Sequence, residues 1–384
     1  LRIIDAAGKK IGPGLVDVHV HFRDPGFTHK EDIETGARAA AAGGFTTVVL
    51  MANTKPAVDT KETLSYVLEK GRKTGIHVES CACITKGLAG KELTDMKTLR
   101  EAGAAGFTDD GIPILDEALV KAAMEQAKEL DVPLSFHEED PAYIENNGIN
   151  HGKASTYYQI GGSDRMAEIS LVRRDLELAL STGAAFDVQH ISAKESVALV
   201  REAKKRVKEM GMDNIHAEAT PHHFSLTEEA AIQYGTLAKM NPPLREEADR
   251  MAVIEGLADG TIDLIATDHA PHSAEEKAKP LTEAPSGIIG LETAFSLAIT
   301  NLVRPGYLDL PTLFERMSLA PAKLYHLPAG QIKEDMPADL IVFDDAAEVV
   351  YEKFASKSSN SPFTGQKLYG RIEMTICEGK EIQK

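Results

Sequence analysis

From Leu15 onward, short runs of apolar and β-branched residues recur along the chain, and in the longer stretches between them apolar residues return every three or four positions. The first pattern predicts buried strands and the second amphipathic helices. Eight strands are predicted, at residues 16–21, 46–51, 78–84, 106–109, 134–137, 185–190, 215–220 and 263–268. Ala- and Glu-rich helices are predicted between them, among others at 30–42, 115–130, 165–181 and 193–210. Alternation of strand and helix builds a parallel sheet, and eight repeats predict an α/β fold, a closed (β/α)8 barrel of the TIM-like kind. A doubly wound open sheet is the competing architecture. It collects ligands at one topological switch point, whereas a barrel collects them from the ends of many strands.

After about Leu327 the texture changes to short β-like pieces at 338–343, 348–351 and 371–378, separated by Asp-, Ser- and Gly-rich turns. Residues 1–4 and 6–10 read as a strand and turn leading into the barrel. The two chain ends are expected to share a small β-sandwich-like appendage, giving units at 1–13, 14–327 (the barrel) and 328–384. With no initiator methionine and little N-terminal partner for the tail strands, the first unit is expected to be the remnant of a longer one.

An excess of 59 acidic over 42 basic residues gives a formal charge of −17. That sign opposes attachment to nucleic acid or anionic membranes, and any anionic substrate would need a local basic pocket. No apolar run approaches the ~20 residues of a membrane span, and no basic-then-apolar signal opens the chain, so a cytoplasmic protein is expected. Cys81, Cys83 and Cys377 are too few for a disulfide framework and are read as buried structural thiols.

Chemistry concentrates at the predicted strand ends. His19 and His21 stand two apart on the first strand, where both rings leave one face and can chelate a metal ion; a lone pair of this kind equally serves as two packed core histidines. Further on, strand four ends in Thr108–Asp109–Asp110, strand five in Phe136–His137–Glu138, strand six in Gln189–His190 and strand eight in Thr267–Asp268–His269. A barrel brings such ends to one mouth. His19, His21, Asp110, His137, His190 and Asp268 supply four imidazoles and two carboxylates, a donor set suited to a pair of divalent ions, zinc first. Such a pair supports metal-assisted hydrolysis. Arg23, two residues beyond His21, is placed to reach the mouth and bind a carboxylate bidentately.

GLVDVHVHFRDPG at 14–26 resembles the first-strand motif of the amidohydrolase superfamily, in the form found in bacterial dihydroorotases. MANT at 51–54, GFTDDG at 106–111, FHEED at 136–140, QHIS at 189–192, MNPPLR at 240–245, TDHAPH at 267–272 and SKSSNSPFTG at 356–365 extend the resemblance over nearly the whole chain. It implies two zinc ions per subunit: His19, His21 and Asp268 on the first, His137 and His190 on the second, with Asp110 bridging. It also makes Asp268 the proton shuttle. Many cyclic amidohydrolases bridge their metals with a carboxylated lysine; the Asp109–Asp110 pair resembles the branch that uses aspartate. Asn53 and His272 look like the family's other carboxylate contacts, and Asn241 like its ring-contacting asparagine. Ser286–Gly287 falls where relatives commonly carry an aromatic residue before the glycine, a surface that serine does not supply.

The activity this implies is reversible hydrolysis of L-dihydroorotate to N-carbamoyl-L-aspartate in pyrimidine biosynthesis. The enzyme alternative is a hydantoinase or allantoinase, whose neutral rings do not require Arg23, Asn53 and His272 together. A noncatalytic subunit assembling with aspartate transcarbamoylase is a third reading; all six candidate ligands being present speaks against it, although an active enzyme can join such a complex too. The resemblance also implies a homodimer. Tandem His222–His223 is expected to shape the strand-seven mouth, and His29, His77, His151, His216 and His326 have no supporting constellation in the sequence.

Overall fold

A computed structural model describes residues 3–382; Leu1 and Arg2, half of the predicted opening strand, fall outside them. Strand β1 (Lys10–Pro13) precedes the parallel strands β2 (Leu15–Val20), β3 (Phe45–Leu50), β4 (His77–Ser80), β5 (Leu134–Phe136), β6 (Phe186–Val188), β7 (Ile215–Ala219) and β8 (Leu264–Ile265). The fourth predicted strand shrinks to Phe107, bridged to Ala82 on one side and Leu134 on the other. Hydrogen bonds from Ala105 N to Ser80 O, Phe107 N to Pro133 O and Ser135 N to Phe107 O still carry the ladder across this gap. A parallel bridge between Val20 and His269 joins the last strand to the first, so the ring of eight closes.

The strands read as nearly continuous apolar runs because both faces are buried. In β3 and just beyond it, Val48 and Leu50 pack in the large cluster shared with the helices, whereas Val49 and Met51 join a second cluster with Val16, Val18, Cys81, Leu264 and Ala266. The second cluster fills the inside of the ring, and Tyr325 packs into it.

The predicted helices form with small shifts of their ends, for instance at Ile33–Ala42, Glu117–Leu130, Met166–Thr182 and Lys194–Glu209. Local chemistry sets several boundaries. Asp32 accepts from Thr35 N in a reciprocal capping box, Asp116 accepts from Ala118 N and Leu119 N, and Gly183 closes the third of these helices in the left-handed conformation.

The appendage is one antiparallel sheet in the order β1, β9 (Leu340–Val350), β10 (Lys367–Cys377), β11 (Lys380–Glu381). Two of the predicted tail pieces are a single long strand, β9. The Asp344–Asp345 pair that reads as a turn in the sequence instead pairs with Lys9 and Lys10. Between β9 and β10 the chain returns to the barrel mouth. There Ser356 N and Ala355 N donate to Glu292, and Asn360 Nδ2 donates to the carbonyls of Ala270 and Gly287.

Candidate metal centre and substrate pocket

The register of β2 against β3 slips between Asp17 and Val20. Such an irregularity re-aims side chains, and here His19 and His21 both reach the mouth. Asp110 lies at the centre: its Oδ1 is 3.4 Å from His19 Nε2, 3.7 Å from His137 Nδ1 and 3.9 Å from His190 Nε2, and its Oδ2 is 3.4 Å from His21 Nε2. Asp268 Oδ1 stands 3.0 Å from His21 Nε2 and 3.6 Å from His19 Nε2. Asp109 points elsewhere, accepting from Ile84 N, Thr85 N and the Thr85 hydroxyl.

The outer nitrogens of three of these rings are held by acceptors. His19 Nδ1 donates to Glu218 at 2.5 Å, His137 Nε2 to Glu139 at 3.0 Å and His21 Nδ1 to Asn53 Oδ1 at 2.9 Å. Each bond fixes a tautomer with its lone pair turned inward. Glu218 and Glu139 are absent from the sequence reading. The first shares its strand with His216, so no lone polar residue marks it and only its burial in the fold shows that the carboxylate needs a partner; the second stands two residues past His137 in the quoted FHEED run.

Burial opposes ionisation of Asp110, but the facing His19, His137 and His21 rings outweigh it and hold the carboxyl well below its ordinary range. Burial, reinforced by His137 and His19, pushes His190 well below 6.5 and keeps it neutral. For His137, Asp110 and Glu139 overcome burial and raise it to about 10, so a metal ion would have to displace a proton to take its inward-facing Nδ1.

The donors fit divalent metal. His19 Nε2 is buried with no hydrogen-bond partner among the described residues, and His137 Nδ1 faces His190 Nε2 at 3.0 Å. Nitrogen lone pairs and carboxylate oxygens about 3–4 Å apart are what ligands show when each sits roughly 2 Å from a shared ion. Candidate ligand atoms of His19, His21 and Asp268, and of His19, Asp110 and His190, lie within 4.8 Å of one another. His190 and Asp268 also adopt positive φ, +32° and +47°, a costly conformation for non-glycine residues that clusters at functional sites.

Every candidate metal ligand and substrate contact from the sequence except His19 lines one cavity of about 180 Å³. Arg23 donates from Nε to Pro271 O and forms no ion pair among the described residues. His272 is fixed from three sides: Lys30 Nζ lies 3.3 Å from Nδ1, the Ser286 carbonyl 2.8 Å from Nε2, and its backbone N–H donates to Asn360 Oδ1. An ammonium only donates, so Nδ1 accepts and the ring proton sits on Nε2. Burial and the charges of Arg23, Lys30 and Lys277 hold this ring neutral. Asn53 directs Nδ2 at both the backbone and the carboxylate of Asp110, so its amide is already committed to the ligand cluster. Asn241 Oδ1 is buried without a partner among the described residues.

The remaining histidines and thiols divide cleanly. His223 is hydrogen-bonded to Thr220 and to the Pro242 carbonyl beside Asn241, while His222 Nε2 has no partner among the described residues. Cys81, Cys83 and Cys377 are free and buried. His77 departs from expectation: the fold sets it against Asp339 at 3.1 Å, with Cys377 beside them, a grouping made by segments far apart in sequence.

A family model described as Dihydro-orotase-like matches residues 8–196. A protein of Clostridioides difficile named dihydroorotase is 56% identical over 381 residues, covering 99% of this chain and 89% of its own length. One of Clostridium acetobutylicum with the same name is 53% identical and covers 100% and 89%. Among solved structures, an L-hydantoinase from Arthrobacter aurescens superposes with a TM-score of 0.88 at 25% identity, covering 99% of this chain and 87% of that one. A dihydropyrimidinase from Brevibacillus agri, TM-score 0.83 at 21% identity over 99% and 86%, shares the fold. Barrel, appendage and clustered His/Asp donors thus define a cyclic amidohydrolase. Within that class, the chain belongs to the dihydroorotase family.

Proposed function

We infer that this chain catalyses the reversible hydrolysis of L-dihydroorotate to N-carbamoyl-L-aspartate, the ring-opening and ring-closing step of pyrimidine biosynthesis. The observation that carries this reading is the division of one cavity into two walls: His/Asp donors on one side, and on the other Arg23, free of any carboxylate partner among the described residues, beside neutral His272. A ring bearing one carboxylate needs both walls, whereas a neutral ureide needs only the first.

His19, His21 and Asp268 are proposed to hold one zinc ion and His137 and His190 a second, with Asp110 between them. When bound, such ions polarise the ring carbonyl and make water a better nucleophile at neutral pH. Arg23 orients the substrate through its carboxylate, a charge-assisted contact, and His272 joins it by turning its Nε2–H from the Ser286 carbonyl to the ligand. The unpartnered Asn241 Oδ1 offers an acceptor to a ring N–H. Asp268 accepts the proton of the attacking water and delivers it to the departing amide nitrogen; in the reverse direction it takes that proton back.

The catalytic unit is proposed to span 14–327, flanked by 1–13 and 328–384. A homodimer and docking to aspartate transcarbamoylase are proposed on the resemblance, and a cytoplasmic setting on the sequence pattern; light scattering with and without that partner tests the first two. No helix among the described residues is long and apolar enough to cross a membrane. The functional test is zinc titration into metal-stripped protein with L-dihydroorotate and hydantoin as substrates. Two equivalents restoring dihydroorotate opening support the reading; preference for hydantoin refutes it.

A further inference from the structure

Behind the pocket wall formed by His272, Ser286 and Gly287 stand two lysines that the mechanism above does not use. Lys239 and Lys277 are each 5% exposed. Lys239 Nζ donates to the carbonyls of Leu281 and Ala284, both at 2.7 Å, and Lys277 Nζ to those of Pro285 and Gly287 at 2.8 and 3.1 Å. Together they grip the 281–287 segment along its length, and Gly287 N returns a bond to Lys239 O. Neither ammonium has a carboxylate partner among the described residues. Burial, with Lys239 as a second positive charge, brings Lys277 down to about 7, so it exchanges its proton near neutral pH and an arriving anion favours the charged form.

Buried ammoniums are rare without an acidic partner, because four neutral carbonyls do not cancel two charges taken out of water. The charge that could complete this arrangement enters with the substrate. Arg23 lines the same cavity, Lys30, ion-paired with Glu276, lies 3.3 Å from His272 Nδ1, and Lys277 is near enough to depress His272, so that Glu276 offsets only one of these charges. The result is a locally cationic wall in a chain of formal charge −17.

We propose that Lys239 and Lys277 are positioning and specificity residues for an anionic substrate: they fix the segment carrying Ser286 and Gly287 and add uncompensated positive charge behind the site of the substrate carboxylate. The proposal rests on the function inferred above. It assigns to this pair part of the discrimination between a carboxylated ring and a neutral one. A merely structural clamp would serve both rings equally.

The test compares L-dihydroorotate with its methyl ester, which keeps the ring and removes the charge, in the zinc-loaded parent, Lys277→Met and Lys239→Met. For the acid, kcat/KM should fall about tenfold, mainly through KM, as expected for losing one unit charge near the ligand in a partly screened site. The ester should change little, and the dependence of kcat/KM on salt should flatten. Equal losses on acid and ester, or an undiminished salt dependence, would overturn the proposal. A melting curve checks folding, and should one variant fail to fold the other decides. If the parent itself does not open dihydroorotate, the functional reading fails first and takes this proposal with it.

Discussion

His19 and Glu218, 199 positions apart in sequence, meet in a buried 2.5 Å contact between Nδ1 and Oε1. Glu218 belongs to β7 and His19 to β2, so the contact spans the inside of the barrel. It leaves His19 Nε2 as the atom facing Asp110 and Asp268. Partners of this kind usually govern metal affinity by a factor of about 10 to 100. Glu218→Gln should therefore keep the fold, load zinc that much more weakly, and regain activity at high zinc; metal content after dialysis against a graded chelator measures it.

Gly148 adopts φ +77°, and a Cβ there would fall 2.4 Å from Ser286 Oγ and 3.0 Å from Asn241 Oδ1. Gly148→Ala should move this turn off the pocket wall. Beyond the ~1 kcal/mol cost of a non-glycine residue in the left-handed region, we expect KM for dihydroorotate to rise several-fold while zinc content stays at the parent level. Loss of zinc in this variant would place the damage elsewhere.

His77 on β4 and Asp339 just before β9 tie the barrel to the appendage sheet. Hydrogen bonding to Asp339 and Cys377 raises His77 to about 10, so its contribution is full below its ordinary 6.5 and fades as pH rises through 10. Burial works against ionisation of Asp339, but His77 holds it below its ordinary 3.8; that contribution is present above 3.8 and lost on further acidification. The stability gap between parent and His77→Ala should thus be widest between about pH 4 and 6.5 and narrow by about 1 kcal/mol towards pH 10. Denaturant melts at three pH values measure it, and a gap independent of pH would mean packing alone is at stake.

The barrel is legible in the sequence because strands buried on both faces leave conspicuous apolar runs, and five of the eight predicted strands end on or beside a residue of the site. The fourth strand is the exception, since only Phe107 pairs formally and Asp109 is drawn aside to cap the Ile84–Thr85 turn. The candidate ligands are visible because each sits at a strand end, a local property. Glu218, Lys239, Lys277 and Asn360 are not, because their roles come from where distant segments converge. Asn360 reaches His272 across 88 positions, and no periodicity within either segment encodes that contact. Asn53 illustrates the reverse case: the resemblance points it at the substrate, while both its amide hydrogens face Asp110.

In the proposed mechanism Asp268 moves the proton while Arg23 and His272 hold the carboxylate of dihydroorotate. The direct measurement is dihydroorotate ring opening, followed by loss of ultraviolet absorbance, in zinc-loaded parent and in Asp268→Asn with metal content assayed alongside. The parent should turn over and the variant should lose at least about 10³-fold, in the range expected for removing general acid–base catalysis and larger than any shortfall in zinc explains. Turnover retained by Asp268→Asn, or none from folded, zinc-loaded parent, would contradict this mechanism.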